Sequence, residues 1–166
     1  MSILQTAYYQ SPIGLIEIKV ADNFVSSILF VEEKGLNTGS HPLLKNCIEQ
    51  LAQYFTGERK IIDFPIKQIG TDFQQKVWNE LLNIPFGKTI SYLHLSKKVG
   101  DIKAIRAVGT SNGKNRIVIV IPCHRVIGSD GSLTGYVGGL WRKQWLLNHE
   151  NNLISLQKSL FEVKRE

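Results

Sequence analysis

Apolar residues change their spacing along the chain, and the change divides it. Leu15, Ile16, Glu17, Ile18, Lys19 and Val20 roughly alternate in character, which predicts a half-buried strand over Tyr8–Val20. A second strand is expected at Phe24–Val31, with Ala21-Asp22-Asn23 as the hairpin connection. Glu32–Ser40 is polar, with two glycines, and reads as a loop. From Pro42 to Thr56 the period becomes helical, with Leu43, Leu44, Cys47, Ile48, Leu51, Ala52, Tyr54 and Phe55 on one broad face and Gly57 as the stop. Ile61–Phe64 suggests a further strand, and Pro65–Gly70 a linker. The expected units are residues 1–67, 71–153 and a tail over 154–166.

Beyond the linker the pattern is a run of helices. Thr71 or Asp72 can cap the first, whose apolar face is Phe73, Val77, Trp78, Leu81 and Leu82, and Pro85-Phe86-Gly87-Lys88 closes it. Ser91 caps a short helix, Tyr92–Val99, that Gly100 ends. Another begins at Asp101 or Ile102 and runs to about Thr110. Two short helices around a tight glycine turn fit a helix-turn-helix. Trp141–Asn148 is helical again, with His149-Glu150 as its expected end, and Ile154–Glu166 is an amphipathic tail without an assigned role. Together these elements predict an α+β chain, a small α/β region followed by a mostly helical one.

Between the last two helices lies the stretch with the most chemistry. Ile117–Ile121 is five β-branched residues in a row, expected as a buried strand. Pro122 breaks it, and Cys123, His124 and Arg125 follow at the break. An unpaired cysteine is ordinarily a small core hydrophobe. Beside an imidazole and a guanidinium it is also a candidate reactive thiol. The glycines that follow, Gly128, Gly131, Gly135, Gly138 and Gly139, suit close approach of backbone to a ligand.

Charge sharpens the division. The net charge is +6, but Phe86–Gly128 holds eight basic residues against Asp101 alone, and the remainder of the chain is close to neutral. A polyanion partner is expected for that segment. The second helix of the pair offers mostly small side chains, Ala104, Ala107, Gly109, Thr110 and Ser111, with Lys103 and one long reader, Arg106. Base-reading helices present several long polar side chains. Small ones permit close approach with little sequence discrimination, or else close helix packing. Hydrophobic content of 43% and a mean hydropathy of −0.07 describe an ordinary soluble protein. The longest apolar runs are too short for a bilayer, Met1–Gln10 is no signal peptide, and a cytoplasmic protein with no membrane partner is expected. Cys47 and Cys123 make neither a disulfide framework nor a zinc cage, so neither metal nor cofactor is expected.

Taken together, IPCHRVIG, TGYVGG, RKQWLLNHE and RAVGTSNGKN resemble the O6-alkylguanine-DNA alkyltransferases. The resemblance is close over Thr71–Glu150 and looser over Met1–Lys67, where that family has a small RNase H-like domain. It implies direct reversal of damage, an alkyl group moving once and irreversibly from O6-alkylguanine (and O4-alkylthymine) in double-stranded DNA to Cys123. By the same resemblance His124 is the base, acting through a water, and Glu150 orients its imidazole. Asn115 joins the recognition helix to the site, and Tyr92 hydrogen-bonds the departing guanine. Arg106 enters the duplex as a finger, Tyr136 is a pocket wall, and the backbone of Cys123, Val126 and Val137 meets the guanine edge. Arg125 and the small-residue helix are expected on the DNA. A monomer is implied, nuclear if the source is eukaryotic. The competing readings are a cysteine hydrolase built on Cys123, His124 and Glu150, and a damage sensor without transfer chemistry. The second would have lost its cysteine.

Overall fold

Two tight turns bend the first part of the chain into an antiparallel sheet in the order β1 (Gln5–Ser11), β2 (Gly14–Ala21), β3 (Phe24–Phe30). The structure is a computed structural model that describes residues 2–164. The expected single strand over Tyr8–Val20 is in fact two. Ser11 pairs with Gly14, so Pro12 and Ile13 form a two-residue loop, and the Ser11 hydroxyl closes it by donating to the Gly14 carbonyl at 2.7 Å. Pro12 has no N–H for a ladder, which is why the strand turns there. The second hairpin is where it was expected. Asp22 and Asn23 adopt φ of 50° and 64° between Ala21 and Phe24, the paired left-handed conformation that matches the twist of a hairpin.

Helix α1 spans Pro42–Thr56 as its period predicted. Proline opens it, the His41 ring accepts from the Leu43 N–H, and Gly57 ends it in the left-handed region at φ 86°. Its buried face, Leu43, Leu44, Cys47, Leu51, Tyr54 and Phe55, covers the sheet.

The helical part follows its local signals closely. Thr71 and Gln74 make a reciprocal capping box on α2 (Asp72–Leu81). Ser91 caps α3 (Tyr92–Val99) and Gly100 closes it at φ 97°. Asp101 caps a single 3-10 turn, Ile102–Ala104, that leads into α4 (Ile105–Gly113). Leu82 lies just past α2 and is exposed rather than part of its apolar face. Two further two-residue strands, β4 (Ile90–Ser91) and β5 (Val126–Ile127), pair in parallel and bring the start of α3 beside the exit of the Cys123 turn.

Three expectations give way. Ile61–Phe64 forms no strand, and the supposed linker after it pairs instead. The Val25 N–H reaches the Pro65 carbonyl and the Lys67 N–H returns to Val25, both at 2.9 Å. Ile117–Ile121 is buried but is not a strand, because only Ile117 pairs, through a bridge to Ile28. The rest coils tightly, with Ile119 at φ 74°, an uncommon conformation for a β-branched residue. Local turns, such as the Ile121 N–H to the Ile117 carbonyl at 3.0 Å, stand in for the ladder. The Asn115 side chain braces them, accepting from the Ile117 N–H at 3.0 Å and donating to the Ile121 carbonyl at 2.8 Å. Finally, α5 does not stop at His149-Glu150. It runs unbroken from Leu140 to Val163 and takes in most of the expected tail, whose last residues, 165 and 166, lie outside the described ones. No helix among the described residues is long and apolar enough to cross a membrane.

Candidate active site

The site forms where the coil from Ile117 to Ile121 meets the buried face of α5. Pro122 leads into a 3-10 turn, Cys123–Arg125, and all three side chains point inward. On α5, Lys143, Leu146 and Glu150 are buried together, one stripe at helical spacing. The turn and the stripe supply the reactive groups between them.

Glu150 is the electrostatic centre. Its Oε1 accepts from His124 Nε2 at 2.8 Å, Arg125 Nη2 at 2.9 Å and the Tyr54 hydroxyl at 2.9 Å. Its Oε2 accepts from Arg125 Nε at 2.9 Å and the Gly87 N–H at 3.2 Å. Burial opposes ionisation of this carboxyl, yet His124 and Arg125 beside it hold it well below the usual carboxylate range. An ionised carboxylate only accepts, so His124 Nε2 carries the proton in that contact and Nδ1 is the lone-pair nitrogen of the neutral ring. That Nδ1 is buried and has no protein partner among the described residues. Burial lowers the pKa of His124 despite the carboxylate, so at neutral pH it is a neutral base.

The thiol of Cys123 is fully enclosed, and burial pushes it up to about 11, with Asn115 and Lys143 acting in the other direction. The resting group is therefore a thiol that must lose its proton during reaction. Asn112 Nδ2 donates to the Cys123 carbonyl at 3.4 Å and ties α4 to the turn. Cys123 N–H goes to Ile121 and Val126 N–H to the Cys123 carbonyl, so neither is a free donor for a ligand edge.

Around the thiol lie Tyr92, Tyr136 and Lys143. Tyr92 donates to the Thr134 carbonyl at 2.9 Å. The Tyr136 hydroxyl is buried without a partner among the described residues. Lys143 Nζ rests on the carbonyls of Thr134 and Gly135 at 3.2 and 3.3 Å and lies 5.7 Å from the centre of the Tyr92 ring. Its pKa is lowered by burial, with the thiol opposing. Sequence reasoning passed over Lys143 and Tyr54. Lys143 had a signal, because a lysine seven residues before Glu150 shares its helical face. Tyr54 had none, since beside Phe55 it reads as one more apolar position on α1.

The structure separates the expected DNA-facing residues. Lys103, Arg106, Ala107 and Thr110 are exposed along the start and outer face of α4, and Ala104 and Gly109 are half-buried. A methyl added at Gly109 would meet the Tyr92 ring at an ordinary 3.9 Å, so tight packing does not require glycine there. Ser111 is buried against α2, its carbonyl accepting from Trp78 Nε1 at 2.9 Å, and cannot face a duplex. Arg125 is a second correction. Only 7% exposed, it makes a two-pronged pair with Glu150 and caps the Ile84 carbonyl at 2.7 Å. The other seven basic residues of the segment remain exposed. Val126 is buried beside the turn, whereas Val137 is 55% exposed at the rim.

Residues 72–152 match the model of the 6-O-methylguanine DNA methyltransferase DNA-binding domain, and residues 4–68 match that of the ribonuclease-like domain of the same methyltransferases. The chain belongs to this family. A methylated-DNA–protein-cysteine methyltransferase of Mycolicibacterium paratuberculosis is 41% identical over 157 residues, covering 92% of this chain and 95% of its own. The crystal structure of Mycobacterium tuberculosis O6-methylguanine methyltransferase superposes with a TM-score of 0.82 at 38% identity, over 90% of this chain and 94% of that one. Mycobacterium tuberculosis OGT in complex with DNA gives 0.79 at 39% identity, over 90% and 93%. The expected α+β class, a small sheet region followed by a mostly helical one, agrees with the ribonuclease-like and DNA-binding descriptions of the two models.

Proposed function

We propose that this chain is a methylated-DNA–protein-cysteine methyltransferase that takes the alkyl group from O6-alkylguanine onto Cys123. The observation that carries the reading is the enclosed Cys123 thiol beside a neutral His124 whose tautomer is fixed by Glu150. The Cys123 proton passes through a water to His124 Nδ1 and the sulfur attacks the alkyl carbon. The S–C bond forms as the C–O6 bond breaks, and the electron pair leaves with guanine. Lys143 stabilises the thiolate as it forms, which is the role its field on the thiol supports. Tyr92, at the pocket rim, turns its hydroxyl from Thr134 to the departing guanine. Asn115 holds the Ile117–Ile121 coil and with it the position of Cys123. A thioether has no ready return to a thiol, so each molecule acts once. O4-alkylthymine is a second substrate of the same chemistry.

O6 lies inside the base stack, so the nucleotide must be rotated out of the duplex. The exposed basic residues and α4 supply a non-specific phosphate grip, and Arg106 fills the space the base leaves. The chain acts as a cytoplasmic monomer on double-stranded DNA. Intact mass and peptide mapping after mixing with an O6-methylguanine duplex test the proposal. One methyl group on the peptide containing Cys123 is expected. Catalytic turnover of a thioester or amide, or binding without any adduct, would favour a hydrolase or a damage sensor instead.

A further inference from the structure

Tyr54 lies near the end of the buried face of α1, most of whose other side chains cover the sheet. Its ring is clamped edge-on by Phe55 at 5.3 Å and Phe86 at 6.1 Å, with the His149 ring at 5.3 Å. His149 Nε2 also contacts the Tyr54 carbonyl at 2.8 Å. Groups from both halves of the chain therefore fix where the hydroxyl points. It points at Glu150 Oε1, the same oxygen that holds His124. Packing alone would be satisfied by phenylalanine.

We propose that Tyr54 is a positioning residue for alkyl transfer: its hydroxyl aims Glu150 and draws charge from the oxygen that holds His124, keeping that imidazole a neutral base. The N-terminal region thereby takes part in the chemistry. This rests on the reading of His124 as the base that serves Cys123. The charged and titratable groups around the contact are His124, Arg125 and Cys123 from the turn, Lys143, His149 and Glu150 from α5, and Tyr136 from the glycine-rich loop. Removing the hydroxyl leaves all of them in place. Glu150 Oε1 then accepts more strongly from the His124 N–H, the imidazole holds a proton more tightly, and its pKa rises from the depressed position. The neutral fraction at a given pH falls, and the acid limb of the rate moves upward.

The test is single-turnover transfer from a saturating O6-methylguanine duplex, as a function of pH, for wild type and Tyr54→Phe. The acid limb should move up by about half to one pH unit, a loss of roughly three- to tenfold on that limb, with the alkaline plateau within about twofold. A loss of equal size at every pH, or an unmoved limb, overturns the proposal, since a merely structural hydroxyl would slow transfer without moving a titration. If Tyr54→Phe does not fold, 3-fluorotyrosine placed at position 54 decides. Its more acidic hydroxyl donates more strongly and should move the limb downward, and no movement counts against the role. Peptide mapping of each reaction separates the two claims. Alkyl on a residue other than Cys123 sinks the proposed function, whereas alkyl on Cys123 with an unmoved limb sinks only the part given to Tyr54.

Discussion

The two regions of this molecule hold their structure in different ways. In the helical region, α2, α3 and the turn before α4 each begin on a side-chain cap and end within a few residues of it, so their bounds are local matters. In the N-terminal region the sheet is completed from elsewhere. The free edge of β3 takes one bridge from the segment around Ile66 and another from Ile117, at the threshold of the reactive turn. Charge divides along the same line, with seven exposed basic residues in Phe86–Gly128 of the helical half and a near-neutral remainder of the chain. The difference teaches that the helical region can carry the partner surface and most of the reactive groups, yet the shape of its cysteine turn depends on a sheet it does not own.

Glu150 sits where the two regions meet, and its loss should have the largest effect. Glu150→Gln removes the charge that offsets buried Arg125 and weakens the fixing of the His124 tautomer. Uncompensated burial of Arg125 should cost about 3–5 kcal/mol in a denaturant titration. Transfer should fall on the order of a hundredfold or more. A stable variant with near-normal transfer would mean that the regions are less coupled than their contacts imply.

Arg106 belongs wholly to the helical region and sharpens the comparison from that side. Arg106→Ala should slow transfer from saturating duplex by roughly 5- to 150-fold, as expected if the cost of extruding a base rises by about 1–3 kcal/mol. Reaction with free O6-benzylguanine should be almost unchanged, and lysine should not fully restore the duplex rate. Equal losses on duplex and free base would instead make Arg106 a support of the fold or pocket.

Cys47 belongs wholly to the N-terminal region and should matter least to the chemistry. It is buried on α1, and burial pushes its thiol up to about 12, so it is inert at neutral pH. Cys47→Ser should leave transfer within about twofold while costing about 1–3 kcal/mol of stability for an enclosed hydroxyl. Loss of transfer in a fully folded protein would show a second thiol at work.

What was legible in the sequence follows the same division. Thr71, Ser91, Gly57 and Gly100 could be read because a cap acts on its own helix. The Cys123 turn was legible because proline, thiol and imidazole are adjacent in sequence. Ile117–Ile121 was misread because its β-branched residues are mostly buried as a strand's would be, while its hydrogen bonds come from local turns and the Asn115 side chain. The pair His149-Glu150 resembled a helix end because two polar residues interrupt an apolar stripe. In the structure both turn inward, His149 to Tyr54 and Glu150 to the reactive turn. Arg125 was counted with the surface because its partner lies 25 residues further on. Pairing between distant parts of the chain leaves no local mark.

The account stands on Cys123 as the acceptor, and one paired measurement reaches it most directly. Cys123→Ser is mixed with an O6-methylguanine duplex, and both repair and binding are followed. Transfer should be abolished while most of the DNA affinity survives, because the exposed basic residues proposed to grip phosphate are separate from the enclosed thiol. Repair near the wild-type level in this variant would contradict the account.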